Sequence, residues 1–254
     1  MTERPTGAPA LEEELGQTIS RLDVERVRRE FWDQNEYVFL DRFLSPDLVE
    51  KILVPEVERL RHSVHRNYIP GHKKGGSVSA YTLSEKAPVF LSLYSSPVFL
   101  DFLRRLVGDS ILVCPEDDPH ACALYYYTEP GDHIGFHYDT SYYRGSRYTV
   151  LLGLVQRSTS CRLVAHLYKD DPQREMKVVD LGYGPGALII FNGNKLWHAV
   201  TPLGTGEERV VLTMEYVTNQ EMAPLKRAFS NLKDAFAYFG VSALIGRRSR
   251  RKQS

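Results

Sequence analysis

At Ser110 the hydrophobic pattern of this 254-residue chain changes period, and that change limits the folds open to it. Upstream, apolar residues recur at helical spacing. Downstream they come in short runs rich in branched and aromatic residues, cut by turn residues. The pattern predicts strands over 110–114, 120–128, 134–138, 147–155, 161–168, 175–180, 186–192, 196–201 and 209–217. Many short strands after a helical start fit a double-sheet roll, a mainly β class with flanking helices. A chain of this length can bury one large core, so one domain over 11–246 is expected. It would comprise a helical part over 11–108, a β-roll core over 110–217 and a C-terminal helix over 222–243. The last rests on Leu225, Phe229, Leu232 and Phe236 at helical spacing. Residues 1–10, with Pro5, Gly7 and Pro9, and the run 247–254 read as disordered ends.

Within the helical part, Leu15, Ile19, Leu22, Val27 and Phe31 suit one or two amphipathic helices before a strand over 37–41. Ser45-Pro46 supplies a cap and a first-turn proline for a helix to about His62. Pro55 must kink or divide it, having no N–H to donate. Residues 69–76 read as a basic, glycine-rich loop, more often a mobile surface turn than a clamp in which Lys73 or Lys74 meets an anionic group. Residues 77–83 read as a strand, and 85–107 as two helices divided by Pro97 and ended by Gly108.

Lysine plus arginine and aspartate plus glutamate both number 32, so there is no global electrostatic case for nucleic acid or an anionic membrane. Five of the positive charges lie in 247–252, leaving a body of minus five. Three cysteines, Cys114, Cys122 and Cys161, without close pairing in sequence, point to reduced thiols in the cytoplasm. No apolar run is long enough to span a bilayer, and residues 1–22 lack the apolar core of a secretory signal. The oligomeric state is not encoded in any of these features.

The chemistry-bearing residues cluster downstream of Pro130-Gly131. In a strand His137 and Asp139 share a face, with Tyr138 turned away. A second imidazole from His198 would complete two histidines and one carboxylate, the set that holds non-haem Fe(II) and leaves positions open. Zinc could take the same ligands. A lone His-x-Asp arises readily from composition, and the ordered surroundings raise its weight. They are the turn and buried strand over 184–191, then Trp197-His198, then a glycine-rich loop before Arg209. The desolvated guanidinium of a buried arginine needs an anionic partner.

The ordered set His137-x-Asp139, His198 and Arg209 resembles the Fe(II)/2-oxoglutarate-dependent oxygenases over roughly residues 30–220. Within that superfamily the chain is most similar to prolyl-hydroxylase-like and phytanoyl-type enzymes, and to hydroxylases and halogenases of free amino acids such as lysine. The resemblance implies a double-stranded β-helix, or jelly roll. It implies Fe(II) on His137, Asp139 and His198, with 2-oxoglutarate and O2 as co-substrates. Arg209 would hold the distal carboxylate of 2-oxoglutarate as a fork-to-fork pair. Tyr127, and less directly Tyr125, would hydrogen-bond the co-substrate, although aromatic residues in a strand are more often simple core. Related halogenases carry a small residue where this chain has Asp139, so hydroxylation of an unactivated C–H, with release of succinate and CO2, is the implied outcome. Lys74, Glu129, His133, Thr140, Tyr142 and Arg144 are candidate substrate contacts, and their mixed polarity suits a small polar molecule, a free amino acid among the candidates. The competing readings are an oxygenase of a peptide or nucleic-acid base, for which the basic end and the lysine pair are the sequence support, and a non-catalytic metal- or ligand-binding roll.

Overall fold

The computed structural model of the chain describes residues 7–139 and 143–221. Twelve strands form one antiparallel sheet: β1 Tyr37–Leu40, β2 His65–Ile69, β3 Lys73–Val78, β4 Leu112–Val113, β5 Cys122–Tyr127, β6 His133–His137, β7 Arg147–Arg157, β8 Leu163–Leu167, β9 Lys177–Leu181, β10 Leu188–Asn192, β11 Trp197–Val200 and β12 Glu208–Val217. Their order is β1-β10-β7-β12-β5-β3-β6-β11-β8-β9, with β2 added to β3 and β4 to β12. β3 pairs with β5 through 76–78 and with β6 through Lys73 and Lys74. It therefore passes from one half of the sheet to the other, and the sheet curls around a cavity lined from β3, β5, β6, β7, β8, β11 and β12. This is the expected jelly-roll-like architecture.

Among the described residues seven α-helices accompany the roll: α1 Ala8–Arg21, α2 Val24–Asp33, α3 Pro46–Leu48, α4 Val54–Arg59, α5 Ala80–Lys86, α6 Pro88–Tyr94 and α7 Pro97–Val107. Their apolar faces, including Leu15, Phe31, Phe90, Phe99 and Phe102, pack with Leu124, Val150 and Leu212 of β5, β7 and β12 in the main core. Burial of each such side chain stabilises by roughly 1.5–3 kcal/mol. Serine caps set the starts: Ser96 Oγ accepts from Phe99 N at 3.2 Å, and Gly108 ends α7 in the left-handed conformation at φ 76°. Pro55 divides its helix as expected. A π-helical turn over Val49–Leu53 joins α3 to α4 and sets Pro55 in the first turn of α4, where its missing N–H costs nothing.

Three local expectations need correction. Residues 69–76 are not a loop but the turn and second strand of the β2–β3 hairpin. The second glycine of the pair serves close approach: a Cβ on Gly76 would overlap Val64 and stand 3.3 Å from Tyr126 Cβ. The strand expected over 77–83 ends at Val78, because Ser79 caps α5 by accepting from Thr82 N at 3.5 Å. Helix α1 begins at Ala8, inside the stretch expected to be irregular, with Pro9 in its first turn. The expected C-terminal helix over 222–243, the basic run 247–254, Thr140 and Tyr142 lie outside the described residues. No helix among the described residues is long and apolar enough to cross a membrane. Cys114, Cys122 and Cys161 are all buried free thiols.

Candidate metal and co-substrate site

His137 on β6 and His198 on β11 are direct cross-strand partners in an antiparallel ladder. Ladder pairing brings their rings to 4.3 Å between centroids. Each ring is fixed by its own backbone. Nδ1–H of His137 donates to Gly135 O at 2.9 Å, and Nδ1–H of His198 donates to Leu196 O at 3.0 Å. In each ring Nε2 is therefore the nitrogen left facing the cavity, the one available to a metal. Asp139 follows β6. Its Oδ1 lies 3.3 Å from His137 Nε2 and its Oδ2 3.8 Å from His198 Nε2. One ligand atom from each of the three residues lies within 4.8 Å of the others.

A bulge helps to aim this set. His198 pairs with His137 but Val200 pairs with Ile134, so β6 carries an extra residue between the two pairs. Such a bulge lets Ile134 and His137, three positions apart, both line the cavity. Gly135 sits in it, its N–H donating to His72 O at 2.6 Å. Asp139 is anchored by its N–H donating to Gly193 O at 2.9 Å and by Thr149 Oγ1 at 2.7 Å from Oδ2. Burial alone would raise its pKa, but the two histidines and Arg147 outweigh that and hold it far below the usual carboxylate range. Burial alone would lower that of His137, but Asp139 beside it outweighs this and raises it; His198, fully enclosed, is lowered by burial. One hard carboxylate and two imidazoles, converging in an interior cleft with charge of both signs, fit a divalent transition metal.

Arg209 on β12 is directly opposite Tyr127 on β5. Its guanidinium is almost wholly buried, 5.3 Å from the ring of Tyr127 and 4.8 Å from that of Tyr183. Nη2 donates to the Tyr183 hydroxyl at 2.6 Å, while the buried Nη1 has no hydrogen-bond partner among the described residues. A charged donor left in this state calls for an acceptor from outside the chain. Tyr125, Tyr127, Tyr183 and Arg209 line the same cavity of about 170 Å³ as His137, Asp139 and His198.

The substrate candidates are placed elsewhere. Lys74 Nζ donates to Pro130 O at 2.9 Å and lies 3.7 Å from Glu129, which also pairs with Arg66 at 3.0 Å. His133 Nδ1 donates to Gly131 O at 2.7 Å, and Arg144 is an exposed partner of Glu221 at 3.0 Å. None of these four lines the cavity. The neighbour Lys73 does, 1% exposed, with Nζ 4.6 Å above the Tyr125 ring. Sequence reasoning also missed His72, His120, Arg147, Thr149, Thr213, Tyr183 and Glu215, which share that lining. The signal that could have found some of them is polar residues at period two inside otherwise apolar strands: Arg147 and Thr149 in β7, Thr213 and Glu215 in β12. Burial raises the Glu215 carboxyl to about 7 against the pull of Arg147.

A family model described as Halogenase D matches residues 19–231. The chain belongs to the Halogenase D family. No match was found among curated protein sequences. Among solved structures, this Halogenase D member is similar to the non-haem α-ketoglutarate-dependent epimerase SnoN of nogalamycin biosynthesis. That similarity is 16% in identity over 76% of this chain and 80% of that one, with a TM-score of 0.62. It is also similar to a Trichoplax adhaerens prolyl hydroxylase solved with a hypoxia inducible factor peptide, at 16% identity, 90% and 98% coverage and a TM-score of 0.59. A 2-oxoglutarate–Fe(II) oxygenase-family protein from Burkholderia pseudomallei matches at 14% identity, 80% and 95% coverage and a TM-score of 0.59. At these identities the likeness establishes the fold. This Halogenase D family chain has the fold of the Fe(II)/2-oxoglutarate-dependent oxygenases.

Proposed function

We propose that the chain is an Fe(II)- and 2-oxoglutarate-dependent hydroxylase of a small polar molecule, with free amino acids such as lysine as the leading class. The observation that carries this reading is the shared cavity. Three metal-ligating side chains converge there beside a buried arginine whose Nη1 has no partner among the described residues. His137, Asp139 and His198 would hold the metal. Arg209, with Tyr127 and Tyr183 against its guanidinium, would hold the co-substrate carboxylate. When bound, iron and 2-oxoglutarate supply, with O2, the oxidising power to convert a C–H to C–OH, and 2-oxoglutarate leaves as succinate and CO2. The chain's own part is to fix the target C–H and keep bulk water out.

Hydroxylation rather than halogenation is favoured by Asp139. The residue is present, ionised and locked in the site, so the place a halide would take is filled by carboxylate. A polar substrate is supported by the remaining lining. His72, 5.7 Å from the His137 ring, and Lys73 bring basic groups to the cavity, suited to a carboxylate on the substrate. The three buried free thiols suit a reducing, cytoplasm-like compartment.

The test is succinate release and mass gain of one oxygen atom across a panel of free amino acids. It is run anaerobically and in air, in wild type and His137→Ala. O2-dependent product in the wild type alone is expected. Equal output from both proteins would overturn the metal assignment.

A further inference from the structure

Asp139 lies beyond the end of β6, so no ladder bond fixes its side chain. A line of three residues from β7 and β12 does so instead. Thr149 Oγ1 lies 2.7 Å from Asp139 Oδ2 and 2.9 Å from Glu215 Oε2, and Arg147 Nε donates to that same Oε2 at 2.8 Å. Thr149 and Glu215 are direct cross-strand partners, so sheet register sets where the hydroxyl stands. All four residues line the cavity.

A threonine hydroxyl carries one proton. An ionised Asp139 can only accept, so the bond to it exists only if Thr149 donates. Glu215 permits that direction in either of its states. Protonated, it donates to Thr149 Oγ1; ionised, its charge is met by Arg147 at 2.8 Å, and the hydroxyl proton stays with Asp139. Oδ2, 3.8 Å from His198 Nε2, is thereby engaged by the hydroxyl at 2.7 Å, while Oδ1 is left 3.3 Å from His137 Nε2 without a hydroxyl partner. The backbone restricts the other degrees of freedom. Asp139 N–H donates to Gly193 O, and Gly193 N–H donates to Arg147 O at 2.8 Å, tying the loop to the start of β7. What remains free is rotation of the carboxylate, and the hydroxyl stops it.

We infer that Thr149, oriented by Glu215 and Arg147, is a positioning residue that holds Asp139 to a single oxygen on the metal and so keeps the other coordination places open. This rests on the iron-site reading above. A carboxylate free to turn could offer both oxygens and close a place that the co-substrate needs.

The experiment titrates apoprotein with Mn(II) by calorimetry and with Co(II) by visible absorption, without 2-oxoglutarate or turnover. Thr149→Val removes the donor and keeps the branched shape. Its Mn(II) affinity should fall by roughly 10–100-fold, the usual cost of losing such an outer partner, and its Co(II) spectrum should change. Thr149→Ser should restore both. In an Asp139→Gly background Thr149→Val should change affinity less than about threefold, since the carboxylate it orients is gone. Thr149→Val matching wild type in affinity and spectrum would overturn the inference, as would an equal loss with and without Asp139. A wild type that binds neither ion would overturn the iron site itself, a result distinct from either. Should Thr149→Val be recovered unfolded, Thr149→Cys, a weak donor of similar size, should show the same direction of change.

Discussion

His137 and His198 face each other across a ladder, whereas Asp139 stands in a loop beyond it. The histidines inherit their separation from strand pairing, and each needs one further bond, from Nδ1 to a carbonyl two residues back. The aspartate inherits almost nothing. It is held by Gly193 through the backbone and Thr149 through the side chain. The same contrast recurs at the other end of the cavity. Arg209 and Tyr127 are ladder partners, while Tyr183, which completes the arginine's surroundings, sits in the loop between β9 and β10. Groups placed by register form the part of the site that any change leaves standing. Groups placed by loops depend on side-chain contacts that one substitution can remove.

The largest effect should come from the ladder pair. His198→Ala removes a proposed ligand that no neighbour can replace, because the buried ring packs against His137, Asp139 and Phe191, and Phe191 has no donor atom to offer in its place. Mn(II) binding by the apoprotein should fall by more than the roughly 10–100-fold that outer partners cost, and turnover should vanish. Full metal retention would show that the ladder pair is a structural contact. Arg209→Met comes next. It removes a fork of charged hydrogen bonds worth about 3 kcal/mol in total, so the apparent KM for 2-oxoglutarate should rise about a hundredfold. A normal dependence would mean that another cavity cation, Lys73 being the nearest in kind, anchors the co-substrate.

The contrast between ladder and loop also decides what could be seen in sequence. The strands were legible because turn residues punctuate branched and aromatic runs, and β5 to β12 fall close to their expected limits. That His137, Asp139, His198 and Arg209 meet in one cavity was legible because residue type and order mark them out. Lys73 and Lys74 were not told apart in sequence. Adjacent strand residues point to opposite faces, and only the pairing of Lys73 with Ile134 shows which one is inward. The glycines at 75 and 76 suggested mobility, whereas the missing Cβ of Gly76 serves packing against Val64 and Tyr126. Thr149 and Glu215 left the trace of polar residues at alternate positions in buried strands, but that trace does not tell that β7 and β12 pair in a register that sets the two side by side. Tyr183 had no signal at all, since its place depends on a loop that folds back over Arg209 from a distant part of the chain.

A loop-held ligand should yield to a small steric change that a ladder pair would ignore. Gly193→Ala places a Cβ 2.8 Å from Asp139 Cβ and 3.2 Å from Thr149 Oγ1. The overpacking should cost about 1–3 kcal/mol in stability, read as a lower Tm of the apoprotein. Because the displaced residue is a proposed ligand, Mn(II) affinity should also fall, by about tenfold, while the His137–His198 spacing is kept. Lower stability with unchanged metal affinity would show that the loop shifts as a unit and carries Asp139 with it.

The smallest effect should be that of Tyr183→Phe. The phenol accepts from Arg209 Nη2 at 2.6 Å, so its removal leaves a second guanidinium nitrogen without its protein partner. A lost bond to a charged group costs about 1.5–3 kcal/mol when nothing replaces it. A water in the vacated place would offset part of that loss, and the ring that stays behind still lies 4.8 Å from the guanidinium. The residual loss is then about 1 kcal/mol, a fivefold rise in KM for 2-oxoglutarate with kcat held. That split follows from geometry: Tyr183 touches the arginine and not the metal ligands, so it acts on co-substrate binding alone. If KM does not move, ladder pairing with Tyr127 suffices to aim Arg209, and the loop contributes shape only. If kcat falls as well, the tilt of Arg209 reaches the metal end of the cavity, and the two halves of the site are mechanically one.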